Sequence, residues 1–130
     1  MIVQSHTFTK KEKLCKKSVI DQLIKGNDHH KVLHYPFVCI WKKIELDTHF
    51  PAQIMISVGK RNFKKAVVRN QLKRQIREIY RQRKHLLYEH LQTQGKQIAL
   101  IVFYTGKEPI VQQKMEDSFE KIIDKIIKMD

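Results

Sequence analysis

Residues 60–84, KRNFKKAVVRNQLKRQIREIYRQRK, hold most of the positive charge of the chain. The segment has eleven basic residues and one acid, a net charge of +10, whereas the whole chain of 130 residues has +13. Such a concentration of like charge repels itself in a compact fold unless a polyanion lies against it. A nucleic acid is therefore the first partner that the sequence predicts.

The same segment predicts an amphipathic helix over residues 63–80, with a weaker helical continuation to residue 91. At about 100° per residue, the apolar and polar side chains fall on adjoining arcs of roughly 120° and 140°. The apolar arc holds Val68, Leu72, Ile76, Ile79 and Tyr80, and the polar arc holds Arg69, Asn70, Lys73, Arg74, Arg77 and Arg81. A solvated helix face would interleave acids with these cations. The segment has only Glu78, expected on the far side, so we expect the polar arc to bind nucleic acid.

The rest of the chain predicts an α+β fold in a single domain, residues 1–130. Thr9 and Glu12 have the spacing of a capping box and predict a helix over residues 9–25. Residues 27–33 are predicted to form a loop. Alternating or continuous apolar patterns predict strands at 35–44, Ala52–Val58 and Ile98–Tyr104, and an apolar stripe predicts a last helix at 111–128.

Residues 66–77, AVVRNQLKRQIR, resemble the signature of the protein subunit of bacterial ribonuclease P, an Arg-Asn-x-x-Lys-Arg-x-x-Arg stretch on its long helix. Residues 57–61, SVGKR, are similar to the strand exit that precedes this helix in the family. The opening helix and the final amphipathic helix are similar as well. The resemblance covers nearly the whole chain in order and length, and its specificity rests on residues 57–77.

The resemblance implies a ribosomal-protein-S5-domain-2-like α-β-β-β-α-β-α sandwich, with helices packed on a small mixed sheet. It also implies a left-handed β-α-β crossover around the basic helix, where general topology rules predict a right-handed one. The family has one more strand than the three that the pattern predicts. That strand has no location in the sequence pattern unless residues 35–58 contain it.

The resemblance also implies a function in which the protein assists a catalytic RNA. The RNA removes the 5′ leader from precursor tRNA with bound Mg²⁺, and the protein binds the RNA and the leader and lowers the magnesium requirement. No catalytic residue, metal site or other cofactor is expected on the protein. The residues expected to bind RNA are Lys60, Arg61, Lys65, Arg69, Asn70, Lys73, Arg74, Arg77 and Arg81.

A cleft between the first helix and the sheet is implied to hold the leader. Its expected lining is Val19, Leu23, Phe37, Ile40 and Trp41. Some family members have aromatic residues at the positions of Val19 and Leu23, so stacking on a base is lost there. Ordinary core packing is the open alternative for these two residues.

Two alternative interpretations assign the sequence to other functional classes. A structural RNA-binding protein of the ribosomal or assembly type is the main alternative, and a basic DNA-binding module is a weaker one. His29, His30 and His34 are read as part of a polar loop because a metal site needs three or four convergent ligands. The N-terminal stretch has no export-signal pattern, so Cys15 and Cys39 are expected to be free thiols in the cytoplasm. We expect no membrane contact and no protein partner.

Overall fold

The apolar segment Ile98–Tyr104 forms a central strand, β4, of a four-stranded mixed sheet in the computed structural model, which describes residues 8–129. The sheet has the order β1-β2-β4-β3, from β1 (His30–His34), β2 (Phe37–Lys43) and β3 (Ala52–Val58). β4 pairs antiparallel with β2 and parallel with β3. The predicted limits of β3 and β4 are confirmed. The single domain over residues 1–130 stays a prediction, because residues 1–7 and 130 lie outside the described part.

Three helices cover the sheet: α1 (Lys17–Lys25), α2 (Ala66–Gln94) and α3 (Gln112–Met129). α2 and α3 pack on one face through the larger core cluster, and α1 packs on the other face through a smaller one. α2 begins at Ala66, three residues after the predicted start, and runs through the predicted continuation to residue 91 as far as Gln94. Its C-cap is Gly95, whose φ of 64° suits glycine. α2 joins the parallel strands β3 and β4, as expected, and the left hand of this crossover stays a prediction.

The predicted helix over residues 9–25 is wrong in its first half. Residues Lys10–Glu12 form a single 3₁₀ turn, and α1 begins only at Lys17. Between them the Leu14 amide donates to the Ile54 carbonyl at 2.9 Å, so this stretch covers the outer edge of β3. The Glu12 carboxylate contacts α2 and does not cap a helix of its own. Thr9 and Glu12 therefore have the sequence spacing of a capping box, but the side-chain hydrogen bond that would cap the helix is not formed.

The strand that the sequence pattern did not locate is β1, inside the predicted loop 27–33 and its flank. β1 is a polar edge strand in which only Val32 is buried. One buried residue gives no alternation that a pattern search can detect. The predicted strand 35–44 begins later, at Phe37, because Tyr35 and Pro36 form the turn between β1 and β2.

A buried ion pair fastens the N-terminal segment to α2. Lys84 Nζ lies 2.6 Å from Glu12 Oε2, and the two side chains are 3% and 1% exposed. The Tyr88 hydroxyl donates to the same carboxylate oxygen at 3.0 Å. Burial raises the pKa of Tyr88 far above its usual range, so the hydroxyl keeps its proton for this bond. The segment 8–14 is thereby held over the edge of β3.

Replacing one member of this buried pair should destabilise the fold strongly, since the other charge then stays buried without its partner. We expect Glu12→Ala to lower the free energy of unfolding by about 3–5 kcal/mol, and the double change Glu12→Leu with Lys84→Met to recover most of that loss. Urea unfolding measures both. Asp28→Ala, which breaks the exposed pair between Asp28 and Lys42, is the control and should change little. Equal midpoints for Glu12→Ala and Asp28→Ala would show that the pair contributes nothing.

Candidate nucleic-acid interface

α2 is divided lengthwise, as predicted, into a buried apolar face and a cationic face. Leu72, Ile76 and Tyr80 are fully buried in the larger core cluster. On the adjoining arc Asn70, Arg74 and Arg77 are exposed, while Arg69, Lys73 and Arg81 are half-buried. Lys60, Arg61 and Lys65 are exposed in the segment that links β3 to α2. We call these nine residues, together with Lys64, the basic stripe; it holds every residue predicted to bind RNA.

Arg69 differs from the rest of the basic stripe because its guanidinium holds the backbone. Its Nη1 donates to the Phe63 carbonyl at 2.7 Å and to the Lys64 carbonyl at 2.9 Å. These bonds fix the turn that leads into α2, where no side chain caps the helix. Arg69 therefore positions Lys64 and Lys65 in addition to carrying charge itself.

Arg81 is the member of the basic stripe whose charge is neutralised within the protein. Its guanidinium pairs with the Glu78 carboxylate, with Nε 3.0 Å from Oε2. The hydrogen bond from Arg81 lowers the pKa of Glu78 and raises that of Arg81. The expectation that Glu78 lies on the far side of the helix is wrong, because residues three apart are neighbours on a helix surface. The free cationic surface therefore ends before Arg81.

Two further cations of segment 60–84 lie off the basic stripe and hold the fold together. Arg83 pairs with Glu116 and Glu120 and so joins α2 to α3. Lys84 is the buried partner of Glu12 described above. Part of the charge excess in this segment is thus structural and does not face a partner.

Lys107 joins the cationic surface, and the sequence reasoning missed it. β3 and β4 end side by side, in the register Val58 to Tyr104, so the segments that follow them leave the sheet together. Lys107 and Arg61 consequently line one open pocket with Asn62, whose side-chain amide donates to the Gly106 carbonyl at 3.4 Å. The parallel pairing of β3 with β4 could have predicted this neighbourhood.

The turn that carries Lys107 is held by Tyr104. The Tyr104 hydroxyl donates to the Glu108 carbonyl at 2.7 Å. Gly106 lies directly on the ring, since a Cβ there would be 2.9 Å from a ring carbon. Glycine is required by this close approach. Lys107 therefore projects from a fixed turn.

The predicted leader cleft is only partly assembled, because its five residues lie on two faces of the sheet. Val19, Leu23 and Ile40 pack together in the smaller core cluster, under α1. Phe37 and Trp41 belong to the larger cluster on the opposite face and are 1% and 2% exposed. Successive residues of a strand point to opposite faces, so Ile40 cannot share a face with these two rings. The prediction that Phe37 and Trp41 line a cleft beside α1 is therefore wrong.

Other side chains remain accessible on the α1 side of the sheet. Met55 and Phe103 are half-buried and pack at the margin of the smaller cluster. Val38 lies directly opposite Phe103 in the sheet register and is also half-buried. Nearby, Lys13 and Arg77 line a pocket of about 200 Å³ with Met55. This surface combines apolar side chains, one aromatic ring and two cations.

The fold and the basic stripe define an α+β protein that presents a cationic helix face beside a partly apolar sheet face. The chain matches the Ribonuclease P family over residues 8–127, and it belongs to that family. A stretch of 41 residues is 49% identical to proteins named "Ribonuclease P protein component" in two strains of Porphyromonas gingivalis. That match spans 32% of this chain and 30% of the length of each relative.

Solved structures confirm the expected fold class. The RNase P protein of Staphylococcus aureus is similar with a TM-score of 0.67 at 21% identity, over 87% of this chain and 93% of that one. The RNase P protein of Thermotoga maritima is similar with a TM-score of 0.68 at 21% identity, over 88% of this chain and 96% of that one. Within residues 8–129 no helix has the length and apolarity to cross a bilayer. No group of three or more His, Cys, Asp or Glu side chains in that range is placed to hold a metal ion.

The Arg69 side chain should stabilise the turn before α2 in addition to carrying positive charge. We expect Arg69→Lys and Arg69→Ala to lower the free energy of unfolding by about 1–3 kcal/mol, because lysine keeps the charge but lacks the planar fork. Both changes should speed hydrogen exchange of the Phe63 amide, which donates to Gly59 at 3.3 Å. Arg74→Ala removes the same charge from an exposed position and should leave that exchange unchanged. Normal Phe63 protection in Arg69→Lys would show that charge alone suffices.

Proposed function

We propose that this chain is the protein subunit of ribonuclease P and assists a catalytic RNA in removing the 5′ leader from precursor tRNA. The observation that carries the proposal is the basic stripe, a surface of arginines and lysines on a helix whose other face is anchored in the core. Membership of the family and the name of the Porphyromonas relatives support the same role. The cytoplasmic location expected from the sequence stays a prediction.

In this proposal the basic stripe lies against phosphates of the catalytic RNA. Arginine forks bind two phosphate oxygens at once, and Asn70 adds a group that both donates and accepts hydrogen bonds. Each neutralised phosphate releases condensed counterions, so affinity should fall steeply with salt. Lys107 extends the same surface beyond α2, next to Arg61.

The chemistry belongs to the RNA in this proposal. The basic stripe consists of guanidinium and ammonium groups with the amide of Asn70, which together bind phosphate, and their positive charge repels a divalent cation. The Glu78 carboxylate within segment 60–84 is engaged by Arg81. The Mg²⁺ of the reaction would be held by RNA. By placing positive charge between two RNA chains, the protein would lower the magnesium concentration that assembly needs.

We place the leader on the α1 side of the sheet, over Val38, Met55 and Phe103. Phe103 offers a ring for base stacking, which is worth about 1–3 kcal/mol per base. Lys13 and Arg77 would hold the adjoining phosphates, since they line the pocket that begins at Met55. Val19, Leu23 and Ile40 support this surface from below as core.

The proposed function is tested by cleavage of precursor tRNA by a bacterial ribonuclease P RNA at low magnesium, with and without this protein. Strong stimulation with the cut at the mature 5′ end is expected. Tight RNA binding without stimulation would favour the structural RNA-binding alternative instead, and the roles assigned to the leader surface would then be withdrawn. A preference for duplex DNA over folded RNA would contradict both.

The basic stripe should account for most of the salt dependence of RNA binding. We expect the triple change Lys73→Ala, Arg74→Ala and Arg77→Ala to weaken binding and to flatten the slope of log affinity against log salt by about 2, since each lost phosphate contact removes about 0.7–0.9. Filter binding across a salt series measures the slope. The control removes three exposed lysines elsewhere, by Lys25→Ala, Lys114→Ala and Lys121→Ala. If the two triple variants changed the salt dependence equally, the net charge of the protein, and not the position of the basic stripe, would account for RNA binding.

A further inference from the structure

The tyrosine in the turn between β1 and β2 presents an open aromatic ring to solvent. Tyr35 is 66% exposed, whereas every other Phe, Tyr or Trp side chain in residues 8–129 is buried or half-buried. Aromatic rings contribute most to a protein when they are packed against something, in a core or at an interface. A ring left in water on a turn is therefore a candidate for contact with a partner.

The turn that carries Tyr35 is fixed to the rest of the protein. The Ser118 hydroxyl on α3 donates to the Tyr35 carbonyl at 2.8 Å. The amide and the hydroxyl of Thr105 donate to the Pro36 carbonyl at 2.7 Å and 2.9 Å. Ordering a mobile turn on binding costs conformational entropy, and these hydrogen bonds remove much of that cost. The ring is therefore positioned before a partner arrives.

The Tyr35 ring lies beside the turn that carries Lys107. Thr105, which binds the Pro36 carbonyl, comes two residues before Lys107 in the segment after β4. Burial raises the pKa of Tyr104, and the charge that Tyr35 acquires on ionisation raises it further, so the two phenols are near each other. The ring and Lys107 therefore share the end of the sheet at which β4 stops.

Cations gather at this end of the sheet. Arg61 and Lys107 line one open pocket. In the two segments that meet there, residues 57–69 and 104–110, six residues are basic and Glu108 is the only acid. A ring on which a base can stack and cations that bind phosphates thus occur together, and sites for single-stranded nucleic acid use this combination.

We propose that the end of the sheet binds an unpaired nucleotide of RNA, with its base stacked on the Tyr35 ring and its phosphate held by Lys107 and Arg61. The inference rests on the proposed function, which supplies RNA as the partner. Bases inside a duplex already stack on each other, so the ring selects a nucleotide in a bulge, a loop or a single strand.

This site is distinct from the leader surface proposed above. Phe103 packs at the margin of the smaller core cluster under α1, and Tyr104 belongs to the larger cluster on the opposite face. Tyr35 lies near Tyr104 and thus away from the leader surface. The catalytic RNA and the precursor tRNA both contain unpaired nucleotides, so the test has to separate these two sources.

The direct test mixes the full chain with a fluorescein-labelled octaadenylate RNA. An octamer of abasic tetrahydrofuran phosphates has the same charge but no bases. We expect the octaadenylate to bind more tightly by fluorescence anisotropy and to shift the ring-proton NMR signals of Tyr35, which are assigned from their loss in Tyr35→Phe. Unshifted Tyr35 signals at saturating octaadenylate would overturn the proposal.

Variants separate the ring from the charge. Tyr35→Leu keeps an apolar side chain but removes the ring, so octaadenylate affinity should fall about tenfold at every salt concentration, and Tyr35→Phe should retain it. Lys107→Ala should instead flatten the slope of log affinity against log salt by about 0.7. Leu86→Ala changes another exposed apolar side chain and is the control. Equal affinities of Tyr35→Leu and Leu86→Ala would contradict stacking on the ring.

The two sources of the nucleotide are separated with the same variants. If the nucleotide belongs to the catalytic RNA, Tyr35→Leu weakens binding of that RNA without precursor tRNA. If it belongs to the precursor, only binding of precursor tRNA by the assembled enzyme weakens. No change in either affinity, or Tyr35 signals that respond to an acidic peptide and not to octaadenylate, would overturn the proposal. The octaadenylate measurements do not depend on cleavage, so their failure is distinguishable from failure of the proposed function.

Discussion

Burial of the apolar face of α2 fixes where the charge of the molecule goes. Leu72, Ile76 and Tyr80 are fully buried against the sheet and α3, and truncating such side chains costs about 2–5 kcal/mol each. Repulsion between two exposed cations in water is about 1 kcal/mol or less. Packing of the apolar face therefore determines the orientation of α2, and this orientation places the basic stripe at the protein surface. The surface that binds RNA in our proposal is set by the core, before any RNA is present.

Two cations of α2 that lie off the basic stripe form ion pairs that stabilise the fold. Arg83 joins α2 to α3, and Lys84 holds Glu12 and with it the segment that covers the outer edge of β3. Covering that edge matters, because a free strand edge invites pairing with other chains. Loss of the Lys84–Glu12 pair would therefore expose β3 and also displace Lys13, which lies near Arg77 at the sheet. Stability and the shape of the binding surface are coupled through one buried contact.

The sequence predicted those parts of the fold whose signal is local. β3 and β4 have the predicted limits and α3 is displaced by one residue, because apolar periodicity alone defines them. The capping box did not form because the Glu12 carboxylate, besides accepting from the Thr9 hydroxyl at 3.4 Å, is engaged by Lys84 and Tyr88, which lie 72 and 76 residues away. The strand β1 was missed because it is defined by its pairing with β2 and not by its own composition. Lys107 was missed for the same kind of reason, since only the register between β3 and β4 brings it to Arg61.

The sequence shows that the side chains of β2 alternate between the two faces of the sheet, but it does not show which helices cover each face. Strand alternation already requires that Phe37 and Trp41 share one face and Ile40 the other. Only the packing shows that α1 covers the face of Ile40, so the rings are committed to the core with α2 and α3. With aliphatic residues filling the space under α1, the accessible part of that face shifts towards Phe103 and Met55. There it meets Arg77 of the basic stripe, so the surfaces proposed for the catalytic RNA and for the leader adjoin each other on one side of the molecule.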